Sequence, residues 1–356
     1  MGIKSLKKLL KKQCPNGIYE TNISQFSNNI IFIDTSIFLY KFKHIELTYK
    51  IPIINSFINM IFRLYKHNIT PFFVFDGKPT KNKIVIQERI QRKEKIDNQI
   101  YQLTNEIEMI KTEITQNEVK EELKEQIELT DSVEMMINEK EDKIKKLKIQ
   151  NLRVNSSDIH KLKELLKSLS INYIHKECEA DLIIPYIISS YNLKPALCIS
   201  DDTDFIVHNV NLISKFDYKT GVIEYLDCKK ILEDLQVTQE QFVEMCVLMG
   251  CDYCSSIKGI GPMKSYKIIK KHKTMDNYLK SINKDNYEFK NAKNMFLIPL
   301  EIEIEKINFS KIQINDKFTE ICDKYEVNLQ VKNKIIDLEK KTKINYITNY
   351  FNKIKS

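Results

Sequence analysis

Strong helix breakers are scarce: the 356-residue chain holds 7 Gly and 8 Pro, with no glycine between Gly77 and Gly221 and no proline between Pro79 and Pro185. A stretch of that length without either excludes a succession of tight turns and predicts long helices. No apolar run approaches the roughly 18 residues of a membrane span, and Met1-Gly2-Ile3-Lys4 lacks the apolar core of a signal peptide. The chain therefore reads as soluble and intracellular. The 8 cysteines follow no paired spacing; Cys246, Cys251 and Cys254 come closest to a soft-metal set but lack a fourth ligand nearby, so buried free thiols are expected. Nucleophile signatures are missing as well, with neither a serine elbow nor an evident Cys and His pair.

With 42% apolar residues, the chain can build one large α/β core plus an appendage. Its net charge of +8, from 56 Lys and Arg against 48 Asp and Glu, suits a polyanionic partner.

Three short apolar runs end in acid: Ile30 to Ile33 before Asp34, Pro71 to Phe75 before Asp76, and Ala196 to Ser200 before Asp201, Asp202 and Asp204. They read as buried parallel strands. Open α/β sheets bind ligands outside the carboxyl ends of their strands, so these acids should converge on one cleft. One acid after a strand is ordinary helix capping; three together point to a shared role. Glu177 and Glu179 precede another helical run, where a helix N-terminus favours negative charge. Asp181 just behind them reads either as a further metal-shell acid or as a cap. Hard oxygen ligands in this number suit two Mg²⁺ or Mn²⁺ ions, which can run phosphoryl displacement by water without a protein nucleophile.

Inside the glycine-free stretch, Ile96, Ile100, Leu103, Ile107, Ile110 and Ile114 step by 4, 3, 4, 3 and 4, a coiled-coil seam. Val119, Leu123, Ile127, Val133, Ile137, Ile144 and Leu147 form a second arm, with the turn expected at Thr115-Gln116-Asn117. Each arm of roughly 30 residues would reach about 45 Å. Core strands lie on both sides of this hairpin, so it is an insertion. The expected divisions are 1–92 and 151–275 for the core, 93–150 for the insert and 276–356 for a helical C-terminal region. Lys83, Arg89, Arg92 and Lys93 follow Asp76 in the chain and could carry positive charge over the cleft. The turn Lys258-Gly259-Ile260-Gly261-Pro262, with Lys264, Lys267, Lys270 and Lys271 behind it, can offer backbone N–H groups and charge to a phosphate. A helix-turn-helix with a solvated lysine face is the plainer alternative.

Taken in order, these segments resemble the flap endonucleases of the XPG-type 5′-nuclease superfamily over nearly the whole chain. The matching segments are Met1-Gly2-Ile3, Ile33-Asp34-Thr35-Ser36 through Tyr40, Phe73-Val74-Phe75-Asp76-Gly77-Lys78-Pro79, Glu177-Cys178-Glu179-Ala180, Ser200-Asp201-Asp202-Thr203-Asp204 and Met249-Gly250-Cys251-Asp252-Tyr253-Cys254. The resemblance implies a PIN-like α/β nuclease core with a twisted, mainly parallel sheet, an inserted helical arch and a helix-turn-helix DNA-binding element. It implies that Asp34, Asp76, Glu177, Glu179, Asp202, Asp204 and Asp252 surround two Mg²⁺ ions, with Mn²⁺ as a substitute, and that Lys83 reaches the scissile phosphate. Gly2, Tyr40, Gly259, Gly261, Lys264 and Lys267 would contact DNA, Tyr40 by stacking, and Ser256, Ile257 and Ile260 would bind K⁺.

Two departures stand out. The family's arch arginine position holds Ile90, flanked by Arg89 and Arg92, and the arch is longer and more acidic than the family norm. Near the C-terminus, Ile344 to Phe351 is similar to a sliding-clamp-binding box, with Ile347, Tyr350 and Phe351 as its plug and Ile344 where the family has glutamine. The implied activity is Mg²⁺-dependent 5′-flap endonuclease and 5′–3′ exonuclease cleavage of DNA in replication and repair, by a monomer in the nucleus. Alternatives on the same scaffold are a 5′ exonuclease, a bubble or Holliday-junction nuclease, or a non-catalytic nucleic-acid scaffold.

Overall fold

A computed structural model describes residues 3, 5–77, 85–118, 126–298, 302–307, 309 and 312–340, with backbone alone at 85–89, 113–118 and 126–132. Gly2, Lys83, Ile347, Tyr350 and Phe351, and the Arg89 side chain, lie outside the described residues.

The order is α1 (Leu6–Gln13), β1 (Ile18–Asn22), β2 (Ile30–Asp34), α2 (Thr35–Tyr49), α3 (Ile53–Lys66), β3 (Thr70–Phe75), α4 (Val85–Glu118), α5 (Gln126–Gln150), α6 (Ser156–Ser168) and β4 (Tyr173–His175). Then come α7 (Ala180–Ser190), β5 (Leu197–Ile199), α8 (Asp204–Val207), β6 (Asn211–Ser214), β7 (Val222–Leu226), α9 (Cys228–Leu235), α10 (Gln239–Met249), α11 (Pro262–His272), α12 (Met275–Ser281), α13 (Tyr287–Leu297) and α14 (Lys317–Lys324). The strands form one sheet in the order β1-β7-β6-β5-β2-β3-β4. Its centre, β6-β5-β2-β3-β4, is parallel, and β7 and β1 extend it antiparallel.

Successive strand residues enter different cores. Phe32, Phe72, Val74, Cys198 and Leu212 pack on one face of the sheet, with α1, α7 and α10. Ile31, Ile33, Phe73, Phe75, Leu197, Ile199 and Ile213 pack on the other, with α2, α3 and α6. Side chains alternate across a strand, so a run apolar at every position is a strand covered on both sides. At about 1.5–3 kcal/mol per large side chain removed from water, these two layers hold the sheet's register and hence the positions of the residues at its ends.

The insertion is a helical hairpin. Ile96, Leu103 and Ile107 of α4 pack against Ile144 and Leu147 of α5, with Ile100 and Ile137 alongside, as the heptad spacing predicts. The expected turn at Thr115-Gln116-Asn117 is corrected: α4 stays helical through Glu118, 34 residues and about 51 Å of helix. Thr, Gln and Asn lower helix propensity by only a few tenths of a kcal/mol each, too little to stop a helix already propagating. At the hairpin's base, the Asn151 side-chain amide and the Arg153 guanidinium both donate to Asp97. The hairpin therefore leaves and rejoins the core at one place.

Candidate active site

Strands β5, β2, β3 and β4 are neighbours and all parallel, so their carboxyl ends form one edge. Asp34 ends β2, Asp76 follows β3, Glu177 and Glu179 follow β4, and Asp201, Asp202 and Asp204 follow β5. The topology converts four distant segments into one acidic rim.

Hydrogen bonds fix the rim's parts to each other. The Ser200 hydroxyl donates to Asp34 at 2.7 Å and accepts the Asp202 N–H at 3.0 Å. The Asp204 N–H donates to the Asp202 carboxylate at 3.0 Å. The Asp204 carboxylate in turn accepts the N–H of Ile3 at 3.0 Å, tying the start of the chain into the site. Asp76 accepts the Ala180 N–H at 2.8 Å, the first turn of α7, and donates its own N–H to the Ser36 hydroxyl at 3.2 Å.

Gly77 makes the joint between the β3 and β4 loops possible. Its N–H donates to the Cys178 carbonyl at 2.8 Å. A Cβ there would lie 2.0 Å from the Lys176 carbonyl oxygen and 2.6 Å from the Cys178 nitrogen. Only glycine lets the two backbones approach this closely.

Burial pushes the Asp34 carboxyl well above the ordinary carboxylate range; Asp76 pushes it further, with Asp202 and Asp181 adding to the rise against the opposing Ser200 hydrogen bond. Three further acids thus act on the buried Asp34, a field that a cation relieves. Burial first, and then Asp181, Glu179 and Asp76, push the Cys178 thiol up, against the opposing hydrogen bond from the Glu179 backbone. Among the described residues no three acids, histidines or cysteines stand close enough to share one ion. Mg²⁺ does not require that, because it keeps several waters and takes one or two carboxylates directly. The donor set, hard oxygens at the rim of a sheet, fits such ions.

Beside the rim lies a cleft of about 730 Å³, lined by Asp76, Glu179, Asp201, Tyr40, Lys41 and Lys93 among others. One face of α2 forms its wall, and Lys43 bonded to Asp158 at 2.9 Å fixes that helix against α6. Of the cations expected over the cleft, Lys93 lines it, whereas Arg92 is exposed and is not among the lining residues. Lys41, paired with Asp201 at 2.5 Å, is a cleft cation that sequence reading missed. The signal available was its place beside Tyr40 on one helical face. Ser200 and Ser36 were missed too, since serine after a strand carries no distinctive pattern.

Asp252 follows α10 and is partly buried, and Glu177 is exposed. Farther along, Gly259 adopts φ +81° and Gly261 N-caps α11 ahead of Pro262. Lys264 turns back to the Gly259 carbonyl at 3.0 Å, Lys267 is exposed, and the Ile257 carbonyl accepts the Ile260 N–H at 2.9 Å. Lys270 is engaged by the Gln236 carbonyl at 3.2 Å. A Cβ on Gly261 would meet nothing within 4 Å, so no internal packing demands glycine there.

Residues 1–99 match the XPG N-terminal domain and residues 170–252 the XPG I-region. The interval between them contains most of the arch. Flap endonuclease 1 of Entamoeba histolytica is 28% identical over 334 residues, covering 88% of this chain and 80% of that protein. Flap endonuclease 1-A of Sorghum bicolor is 28% identical over 322 residues, 84% of this chain and 76% of that one. Among solved structures, flap endonuclease-1 from Methanococcus jannaschii aligns with a TM-score of 0.58 at 20% identity, over 92% of this chain and 97% of that chain. The catalytic core of Rad2 in complex with DNA substrate aligns at 0.61 and 17% identity, over 95% and 100%. Those two share the fold seen here. Matches at both halves of the divided core, joined to an acidic rim at the strand ends, mean that the chain belongs to the flap-endonuclease family of the XPG superfamily.

Proposed function

We propose that this protein is a structure-specific 5′-flap DNA endonuclease with 5′–3′ exonuclease activity, hydrolysing phosphodiesters where duplex meets single strand. The observation that carries the reading is the acidic rim opening into a cleft between α2 and the base of a two-helix arch. Asp34, Asp76, Asp202 and Asp204, with Glu177, Glu179 and Asp252, would hold two Mg²⁺ ions, for which Mn²⁺ can substitute. When bound, such ions supply an activated water and stabilise the leaving oxygen.

The chain's own groups prepare that chemistry. Ser200, the Ala180 N–H and the Ile3 N–H orient Asp34, Asp76 and Asp204 respectively, so the acids need not reorganise when substrate arrives. Tyr40, 41% exposed on the cleft wall, offers a ring for an unpaired base. Lys41 and Lys93 offer charge to phosphates, a role also proposed for Lys83, Arg89 and Arg92. The open space at Gly261, beside Gly259, Lys264 and Lys267, suits close approach of a duplex backbone, with Gly2 as a further DNA contact. K⁺ at Ser256, Ile257 and Ile260, a sliding-clamp contact through Ile347, Tyr350 and Phe351, a monomeric state and action in the nucleus complete the proposal.

The test is incubation with labelled 5′-flap, bubble, four-way and blunt duplex DNA, with Mg²⁺ or with EDTA. Preferential cutting of the flap that EDTA abolishes is expected. Equal cutting of all four, or cutting unaffected by EDTA, would overturn the reading.

A further inference from the structure

Between α10 and the glycine turn, residues 250–254 fold back on themselves. The Cys251 N–H donates to the Cys254 carbonyl at 3.0 Å, and the Cys254 N–H to the Cys251 carbonyl at 3.4 Å. Reciprocal bonds of this kind set two Cα atoms about 5.5 Å apart, inside the roughly 4.4–6.8 Å range over which disulfides form. The two sulfurs are 3.6 Å apart and in hydrogen-bond contact, and the Cys254 thiol also reaches the Val247 carbonyl at 3.5 Å. Cys254 is buried, whereas Cys251 is partly exposed. The less buried of two cysteines thus sits against a buried partner, with the backbone pairing holding the two sulfurs 3.6 Å apart.

We infer that Cys251 and Cys254 form a reversible dithiol–disulfide site, oxidised by hydroperoxides, whose closure reshapes the loop carrying Asp252. Cys251 sulfur takes one oxygen of the peroxide as a sulfenic acid, and water leaves when the oxidant is hydrogen peroxide. Cys254 sulfur then attacks the sulfenic sulfur; the S–S bond forms, the S–O bond breaks, and the departing hydroxide leaves as water with the Cys254 proton. Two thiols supply two electrons and one peroxide is reduced to two waters. A small dithiol reverses the step by exchange.

Closing the bond brings the sulfurs together by about 1.5 Å, to about 2.05 Å. Asp252 and Tyr253 are the two residues enclosed in the new ring. The adjustment therefore reaches Asp252, and displacement of an active-site group by about 1 Å lowers rates by about 100-fold. This effect on cleavage rests on the proposed role of Asp252; formation of the bond does not.

The experiment treats the full chain with hydrogen peroxide, blocks free thiols with iodoacetamide and reads the peptide holding residues 251–254 by mass spectrometry, alongside 5′-flap cleavage. Expected are a loss of two hydrogens on that peptide and roughly 10- to 100-fold slower cleavage, both reversed by dithiothreitol. Cys251→Ser and Cys254→Ser should each cleave normally when reduced and resist peroxide, while Cys178→Ser should remain sensitive. An alkylated 251–254 peptide after peroxide, a disulfide that leaves cleavage unchanged, or inactivation abolished by Cys178→Ser would each overturn the proposal. Should the reduced protein cut no DNA, the proposed function fails, while the peptide mass still decides whether the disulfide forms.

Discussion

Gly77→Ala adds one methyl group where the β3 and β4 loops touch. That methyl would lie 2.0 Å from the Lys176 carbonyl oxygen and 2.7 Å from the Glu177 Cα, both backbone atoms without a side chain's freedom to swing away. Ordinary contact begins at 3.4 Å, so the loops must part by about 1.4 Å. The 2.8 Å bond from the Gly77 N–H to the Cys178 carbonyl stretches with them. Asp76 rides on one loop and Glu177 and Glu179 on the other, so the acidic rim opens at its middle. A shift of about 1 Å in a reacting constellation lowers rates by about 100-fold, or about 2.7 kcal/mol in the barrier. Global stability should fall by only about 1–3 kcal/mol, the usual effect of overpacking. Single-turnover flap cleavage at saturating Mg²⁺ measures the first quantity and thermal unfolding the second. Cleavage within threefold of the unsubstituted protein, in a variant still folded, would refute the idea that this contact sets the spacing of the acids.

Other outcomes follow from particular bonds. Ser200→Ala leaves Asp34 and the Asp202 N–H without their shared hydroxyl and should raise the Mg²⁺ concentration for half-maximal cleavage by 10- to 100-fold, roughly the effect of losing a group that orients a metal ligand. Burial alone would raise the Glu224 carboxyl, but hydrogen bonds from Lys11, Lys7 and Ser214 hold it down from 4.5 to about 2. A depressed folded pKa stabilises above the unfolded value and is lost as pH falls from about 5 to 2. The limit of about 3.4 kcal/mol shrinks to about 1–2 because the lysines are 28% and 44% exposed. Glu224→Gln should therefore lower the melting temperature at pH 7 and flatten its acid limb in a pH series of melts. Ile107→Asp puts a charge in the arch seam and should unzip the hairpin, seen as fast amide exchange across α4 and α5 with core exchange unchanged.

Much of this arrangement is written locally, and the rest is not. β2, β3 and β5 were readable because a strand buried on both faces is apolar at every position, and the acids behind them follow directly. β1 was not, since Ile18–Asn22 has no fully buried residue and shows neither pattern. The heptad located the arch seam but not its turn, because no glycine or proline marks the reversal. Asp76-Gly77 was visible as a pair; that the Lys176 carbonyl presses on the glycine depends on a strand about a hundred residues away. Lys41 and Ser200 acquire meaning from partners distant in the chain, Asp201 and Asp34, which no local window contains.

The clamp at the base of the arch has an evolutionary side. Asp97 and Asn151 touch although 54 residues separate them in the chain. An excursion whose two ends already meet can be lengthened or shortened at little thermodynamic expense, since closure entropy grows only logarithmically with loop length. Neither sheet face contributes to the arch seam, so changes in arch length leave the acids in register. Related chains should therefore vary most in this one segment, letting a constant cutting edge be fitted with arches of different reach and charge.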